Sequence, residues 1–266
     1  MSEPIIGTPT TTSGAIGQTF ADLYKRVSWY IGTGLSPSGN DLIIAQTLVN
    51  DGYRMFLTAL DPRTKRAYQW SFLSPARTIG FTGGTGGTAL YTLPTGFGAM
   101  VDDPAYSVAS SPVVVQPRSP TFVHERQGIS GGTGTGAPMF YAIEPVAESS
   151  GNSGNLQLYN MILWPKPDQS YTMHYRYRVL ATALANDGDC PLGGPEHSQT
   201  ILQACLAMAE VRVNERQGEQ TALYERLLCQ SIDIDALNKP RNLGRIGDNS
   251  DYETPYSRIQ SVTYNY

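Results

Sequence analysis

Apolar residues recur at helical spacing in two stretches near the start of the chain and two near its end. Between these ends lie shorter strand-like runs, the last of them with apolar residues at every second position. Phe20, Leu23, Val27, Tyr30 and Ile31 mark a first helix over about 18–31, stopped by Gly32 and Gly34. After the turn Ser36-Pro37-Ser38-Gly39-Asn40, a second helix is expected to open near Asp41, with Leu42, Ala45, Leu48, Val49, Tyr53, Phe56 and Leu60 as its stripe; Asp61-Pro62 ends it. Helical periodicity returns at Gly194-Pro195-Glu196, where Ile201, Leu202, Cys205, Leu206, Ala209 and Val213 share a face. Gly218 breaks or kinks that helix. A last one, carrying Leu223, Tyr224, Leu227, Leu228 and Ile232, fades near Asn238-Lys239-Pro240.

The middle of the chain has another rhythm. Residues 67–73, 77–81, 88–93, 139–145, 156–164 and 171–180 read as strands, separated by clusters of Gly, Pro, Ser and Asn. The last alternates most clearly. Tyr171, Met173, Tyr175, Tyr177 and Val179 belong on one face and Thr172, His174, Arg176 and Arg178 on the other. Within this region Ser119-Pro120 and Gly128 read as the N-cap, first-turn proline and C′ glycine of a short helix.

Two helix pairs at opposite ends of a chain can each bury a stripe by packing together. The predicted class is therefore α+β: an antiparallel helical bundle with an inserted β-sandwich or barrel module and an extended C-terminal tail. The expected division is a flexible N-terminal arm (1–16), the first helix pair of the bundle (17–64), the inserted β module (65–185), the second helix pair of the bundle (186–238) and the tail (239–266).

Composition sharpens this picture. Hydrophobic residues at 40% suffice for a core, while charged residues are sparse at 16%. The 16 tyrosines suit protein–protein contacts, since each ring buries much area and keeps one polar tip. A net charge of −4 without a basic tract argues against a sequence-independent grip on duplex DNA. Cys190, Cys205 and Cys229 are widely spaced and read as reduced thiols. The N-terminal residues show no signal-peptide pattern, and the chain has no apolar run of membrane-spanning length.

Candidate chemistry is thin. The glycine-rich segments at 83–88 and 131–136 lack the Gly-Lys-[Ser/Thr] ending of a phosphate loop and read as β-loop tips. His124, His174 and His197 stand apart, without ligand spacing, and no Gly-x-Ser-x-Gly elbow accompanies them. No catalytic, cofactor-binding or metal-ligating set is therefore predicted. His124 is expected to be solvated, Trp70 and Trp164 to be core aromatics, and Asp233 and Asp235 to lie on a solvated helix face.

Several stretches together carry a resemblance. They are Tyr68-Gln69-Trp70-Ser71-Phe72-Leu73, Tyr91-Thr92-Leu93-Pro94 with Phe97-Gly98, and Trp164-Pro165-Lys166-Pro167-Asp168. Tyr171 to Tyr177 follows, then Pro195-Glu196-His197 running to Ala209-Glu210. Over about 15–238 the chain resembles phage head–tail adaptor proteins of the tail-tubular-A type from short-tailed phages. The resemblance implies a virion structural protein, made in the host cytoplasm and placed at the head–tail interface. It implies a ring of about twelve copies docked on the portal protein, joined to a tail nozzle or tail-tube protein, with tail-fibre contacts and DNA passing without specific binding. No enzyme activity, cofactor or membrane is implied. The main rival reading is a host-attachment or glycan-binding β-sandwich module of the tail, and a second is an enzyme with an unrecognised site, such as a tail-associated hydrolase. Within 239–266, Arg241, Tyr252, Tyr256, Arg258, Ile259, Val262, Tyr264 and Tyr266 are the expected portal-docking residues: the segment has no stripe to bury on its own bundle, yet is rich in aromatics.

Overall fold

The computed structural model describes residues 17–83, 89–108, 111–129, 134–146 and 157–238. The arm 1–16, the tail 239–266 and segments 84–88 and 130–133 of the glycine-rich stretches lie outside the described residues.

The first helix, α1 (Phe20–Tyr30), starts on a capping box. Thr19 Oγ1 accepts from the Asp22 amide at 3.3 Å, and the Asp22 carboxylate accepts from the Thr19 amide at 3.1 Å. α2 (Gly39–Leu57) follows, then β1 (Ala76–Phe81), β2 (Leu90–Thr92), β3 (Phe97–Met100), β4 (Ala105–Val108), β5 (Ser111–Val114) and β6 (Gln116–Pro117). A short helix α3 (Pro120–Ile129) leads to β7 (Thr135–Gly136), β8 (Phe140–Pro145), β9 (Tyr159–Trp164), β10 (Lys166–Pro167) and β11 (Tyr171–Val179). The long helices α4 (Gly194–Asn214) and α5 (Glu219–Asn238) close the described chain.

The architecture is the predicted α+β one. In the bundle α4 is central, packing on α1, α2 and α5. Residues around its whole circumference are buried, including Thr200, Gln203 and Glu210 beside Ile201 and Cys205. In the middle of the chain one sheet runs β1-β11-β4-β5, with β3 also on β11, and a second runs β2-β9-β8-β6. Phe81, Tyr106 and Met173 of the first sheet share a core with Tyr141, Met161 and Leu163 of the second, so the two sheets form a sandwich. β11 alternates as expected, with Tyr171, Met173, Tyr175 and Tyr177 buried and Thr172, His174 and Arg178 exposed. Ser119 caps α3, its hydroxyl accepting from the Phe122 amide at 3.2 Å.

Four expectations are corrected. Residues 67–73 are not a strand: Ala67 makes one bridge to Leu60, and the chain then enters a 3-10 turn, Ser71–Leu73. The bundle overrides the local preference there, because Trp70 and Leu73 bury in its core. Leu60 lies past the end of α2 and is exposed, as are Val213 and Leu223 on the later helices. Gly128 falls inside α3 rather than after it, since the helix runs on to Ile129. The strands β3, β4 and β5 carry no clear alternation and were not predicted.

Candidate assembly surfaces

The residues expected to lie on a solvated face of α5 divide. Asp233 is exposed and pairs with Arg63 at 2.9 Å. Asp235 is the correction. It is buried, at 1% exposure, because it falls on the same helical face as Leu228 and Ile232. Its carboxylate accepts from the Tyr68 hydroxyl (2.8 Å), the Ser71 hydroxyl (2.6 Å) and the Ser71 amide (3.1 Å). Burial first, and then the neighbouring carboxylate, push the Tyr68 phenol well above its usual range. This latch ties the last helix to the segment that leads into the sandwich.

A second buried carboxylate, Glu210, was not anticipated. It receives the Gly218, Gln220 and Thr221 amides and the Thr221 hydroxyl at 3.0–3.1 Å, closing the turn between α4 and α5 at the start of α5. Burial alone would raise its pKa, but the donated hydrogen bonds outweigh it and hold the carboxyl below its usual value of 4.5. A group depressed in the folded state contributes stability above its unfolded pKa, lost as pH falls through the folded one. In urea titrations the wild type should therefore exceed Glu210→Gln by a constant margin at neutral pH. That margin should shrink below about pH 4.5 and vanish at lower pH. A margin independent of pH would contradict this role.

The histidines do not converge. His197 is buried against Phe56, Trp70 and Phe72, with ring centroids 5.2–5.9 Å away. Burial, opposed by Asp235 and Glu196, lowers its pKa and favours the neutral ring of a core residue. His124 is more than half exposed and meets Glu144 at 3.1 Å; His174 lies on the exposed face of β11. Among the described residues no group of three His, Cys, Asp or Glu is placed to hold a metal ion. No described helix is long and apolar enough to cross a membrane. Trp70 is buried in the bundle, while Trp164 is partly buried on a small cluster of Val123, Ala142 and Ile162.

What stands out instead are apolar side chains in solvent. At the loop end of the α1–α2 hairpin, Trp29 is 67% exposed, Leu35 60% and Ile43 61%. Val49 and Gly52 of α2 meet Cys205 of α4, and Tyr53 reaches back to Leu192, so the two helices run antiparallel. That geometry brings the exposed Val213, near the end of α4, to the same end of the bundle. The sandwich is attached at the other end. A second face runs along α5, where the exposed Leu223, Ile234 and Leu237 lie with the half-buried Leu227 at spacings of four, seven and three beside the buried stripe; Leu237 is 71% exposed. Patches of this kind mark contact sites.

Where the bundle meets the sandwich, a cleft of about 320 Å³ opens between Tyr53, Arg54 and Leu57 of α2, Leu73, and the β11 end with its sequel, Arg178 to Ala183. Neither the Arg54 nor the Arg178 guanidinium makes a hydrogen bond or ion pair with another described residue. The expected portal-docking residues Arg241, Tyr252, Tyr256, Arg258, Ile259, Val262, Tyr264 and Tyr266 all lie outside the described residues.

A bundle that carries a sandwich and presents unpartnered apolar faces has the layout of a protein that works by its contacts. Comparison with known families agrees, making the chain a phage adaptor, a structural component rather than a member of an enzyme family. The match covers residues 18–246, and the chain belongs to the SU10 adaptor protein family. No curated protein matches it.

Proposed function

We propose that this protein forms a ring of about twelve copies that docks on the portal, receives the tail nozzle or tail tube, and lets genomic DNA pass without binding it specifically. It acts at the head–tail interface of the virion after synthesis in the host cytoplasm, without catalysis or cofactor, and the sandwich offers a site for tail fibres. On this reading the functional units are the bundle (17–64 with 186–238) and the β module (65–185), and the segments flanking the 3-10 turn join them. The observation that carries the reading is the adaptor-family match over residues 18–246. The exposed faces support it. A closed ring with head-to-tail contacts needs two unlike surfaces on each subunit, and the bundle offers one at the hairpin end and another along α5. The acidic net charge of −4 suits a conduit that DNA slides past.

The test is reconstitution on purified portal, read by negative-stain microscopy. Trp29→Ser with Ile43→Ser should leave stability within about 0.5 kcal/mol of wild type, since both side chains are exposed. Central interface residues commonly contribute about 2 kcal/mol or more to binding, a loss multiplied around a ring, so the rings should be missing. Rings that form as in the wild type would count against the hairpin end as an interface. Deleting 241–266 should likewise leave a folded chain that no longer docks on the portal. Docking with unchanged affinity would remove Arg241, Tyr252, Tyr256, Arg258, Ile259, Val262, Tyr264 and Tyr266 from the portal contact.

A further inference from the structure

The cleft between bundle and sandwich combines an apolar floor with unspent positive charge. Leu57, Leu73 and Leu180 supply the apolar surface, and Arg54 and Arg178 stand on its lining with no partner for either guanidinium among the described residues. Two such groups beside an apolar surface fit an extended segment that carries carboxylates and aromatic rings. The chain itself contains one. Residues 247–256 read Gly-Asp-Asn-Ser-Asp-Tyr-Glu-Thr-Pro-Tyr, with three carboxylates, two tyrosines and no Lys or Arg. This stretch begins just past the end of the family match at residue 246.

The geometry also puts that stretch within reach. The Asp235 carboxylate holds Ser71, so the last turn of α5 lies against the 3-10 turn whose final residue, Leu73, lines the cleft. The ten residues from Asn238 to Asp248 can span up to ~33 Å, far more than that separation requires. We propose that the acidic, tyrosine-bearing segment 248–256 of this chain docks in the cleft of its own subunit, with Asp248, Asp251 and Glu253 facing Arg54 and Arg178. Docking there fixes the base of the tail on the sandwich-bearing end of the bundle and leaves 258–266 to project. The inference rests on the portal-docking reading of the tail and narrows it, giving Tyr252 and Tyr256 to the cleft and leaving Arg258, Ile259, Val262, Tyr264 and Tyr266 for the portal, and it is testable without the portal.

The experiment is limited chymotrypsin digestion of the full-length free chain, following cleavage after Tyr252 and Tyr256. A docked segment is cut only from its released state, so the rate follows the population of that state. Arg54→Glu with Arg178→Glu should raise the rate by about tenfold or more, since tenfold corresponds to ~1.4 kcal/mol of lost docking. Asp248→Lys, Asp251→Lys and Glu253→Lys together should do the same. Combining the two sets should restore slow cleavage, which a merely unfolding variant would not do. Salt should accelerate cleavage of the wild type and not of the arginine variant. Unchanged rates in the arginine variant overturn the proposal. Unchanged rates together with lost portal binding would also overturn it, and would assign the cleft to an acidic segment of the portal instead. Unchanged portal docking by the chain lacking 241–266, with the expected cleavage pattern in the full-length variants, would sink the tail–portal reading and leave this one standing.

Discussion

Trp70→Ala should cost the folded chain ~3–5 kcal/mol, the range for emptying a large aromatic from a close-packed core. That is a large share of the ~5–15 kcal/mol by which domains are usually stable. Trp70 is 1% exposed and forms the centre of a ring cluster, with centroids 4.5 Å from Phe56, 5.4 Å from Phe72, 5.2 Å from His197 and 4.9 Å from Tyr68. Its indole N–H donates to the Phe56 carbonyl at 3.0 Å. The residue touches α2 and α4 together, and its sequence neighbours carry the Asp235 latch to α5. The loss should therefore appear as a lower midpoint for the helical signal, not as a local change in the sandwich. Trp70→Phe keeps much of the apolar area and loses only some of the ring and its hydrogen bond, so it should cost about 1–2 kcal/mol. Urea unfolding followed by circular dichroism separates the two. A drop below about 1 kcal/mol for the alanine variant would mean that Trp70 does not belong to the bundle core.

The same tryptophan shows where sequence reading stops. Alternating aromatics at Tyr68, Trp70 and Phe72 look like a strand face, yet the segment is drawn into the bundle by contacts far away in sequence. β11 was legible because nine residues alternate without interruption and one face is buried. β3 and β5 were not: each has four residues, one with Gly98 and the other with Pro112, which erase the local signal. At Gly98 a side chain would press on the Arg178 carbonyl, a cross-strand fact with no trace in local pattern. The helical stripes of α1 and α2 were plain because those helices bury one face. From His197 to Glu210 α4 buries residues all round, so Thr200, Gln203 and Glu210 enter the core beside apolar neighbours and the periodicity blurs. Asp235 did leave a signal, because it continues the series Tyr224, Leu228 and Ile232 at helical spacing. Its alternation with Ile232 and Ile234 drew attention to the wrong period. The exposed faces at Trp29 and Leu237 follow from which stripe each helix spends on α4, and that is decided only once the helices are assembled.

Gly52→Val should destabilise the bundle by about 3 kcal/mol or more, at or beyond the upper end of the usual overpacking range. The Asn50-Asp51-Gly52 sequence looks like a turn but lies deep in α2. A Cβ at Gly52 would stand 2.5 Å from the Cys205 Cα and 2.6 Å from the Cys205 amide nitrogen. These are backbone atoms of α4, so no side-chain rotation relieves the clash and the two helices must move apart. Separation would also loosen the contact between the Cys205 thiol and the Val49 carbonyl at 3.5 Å. Even Gly52→Ala should lose stability, although alanine is favoured over glycine within a helix by about 0.8–1.0 kcal/mol. Gly128 supplies the control. It lies inside α3, where an added Cβ meets nothing within 4 Å, so Gly128→Ala should gain roughly 0.5–1 kcal/mol. The same substitution at two helical glycines should thus have opposite signs, read as shifts of the urea midpoint in opposite directions. Two shifts of the same sign would show that propensity, and not the close approach of α2 to α4, governs position 52.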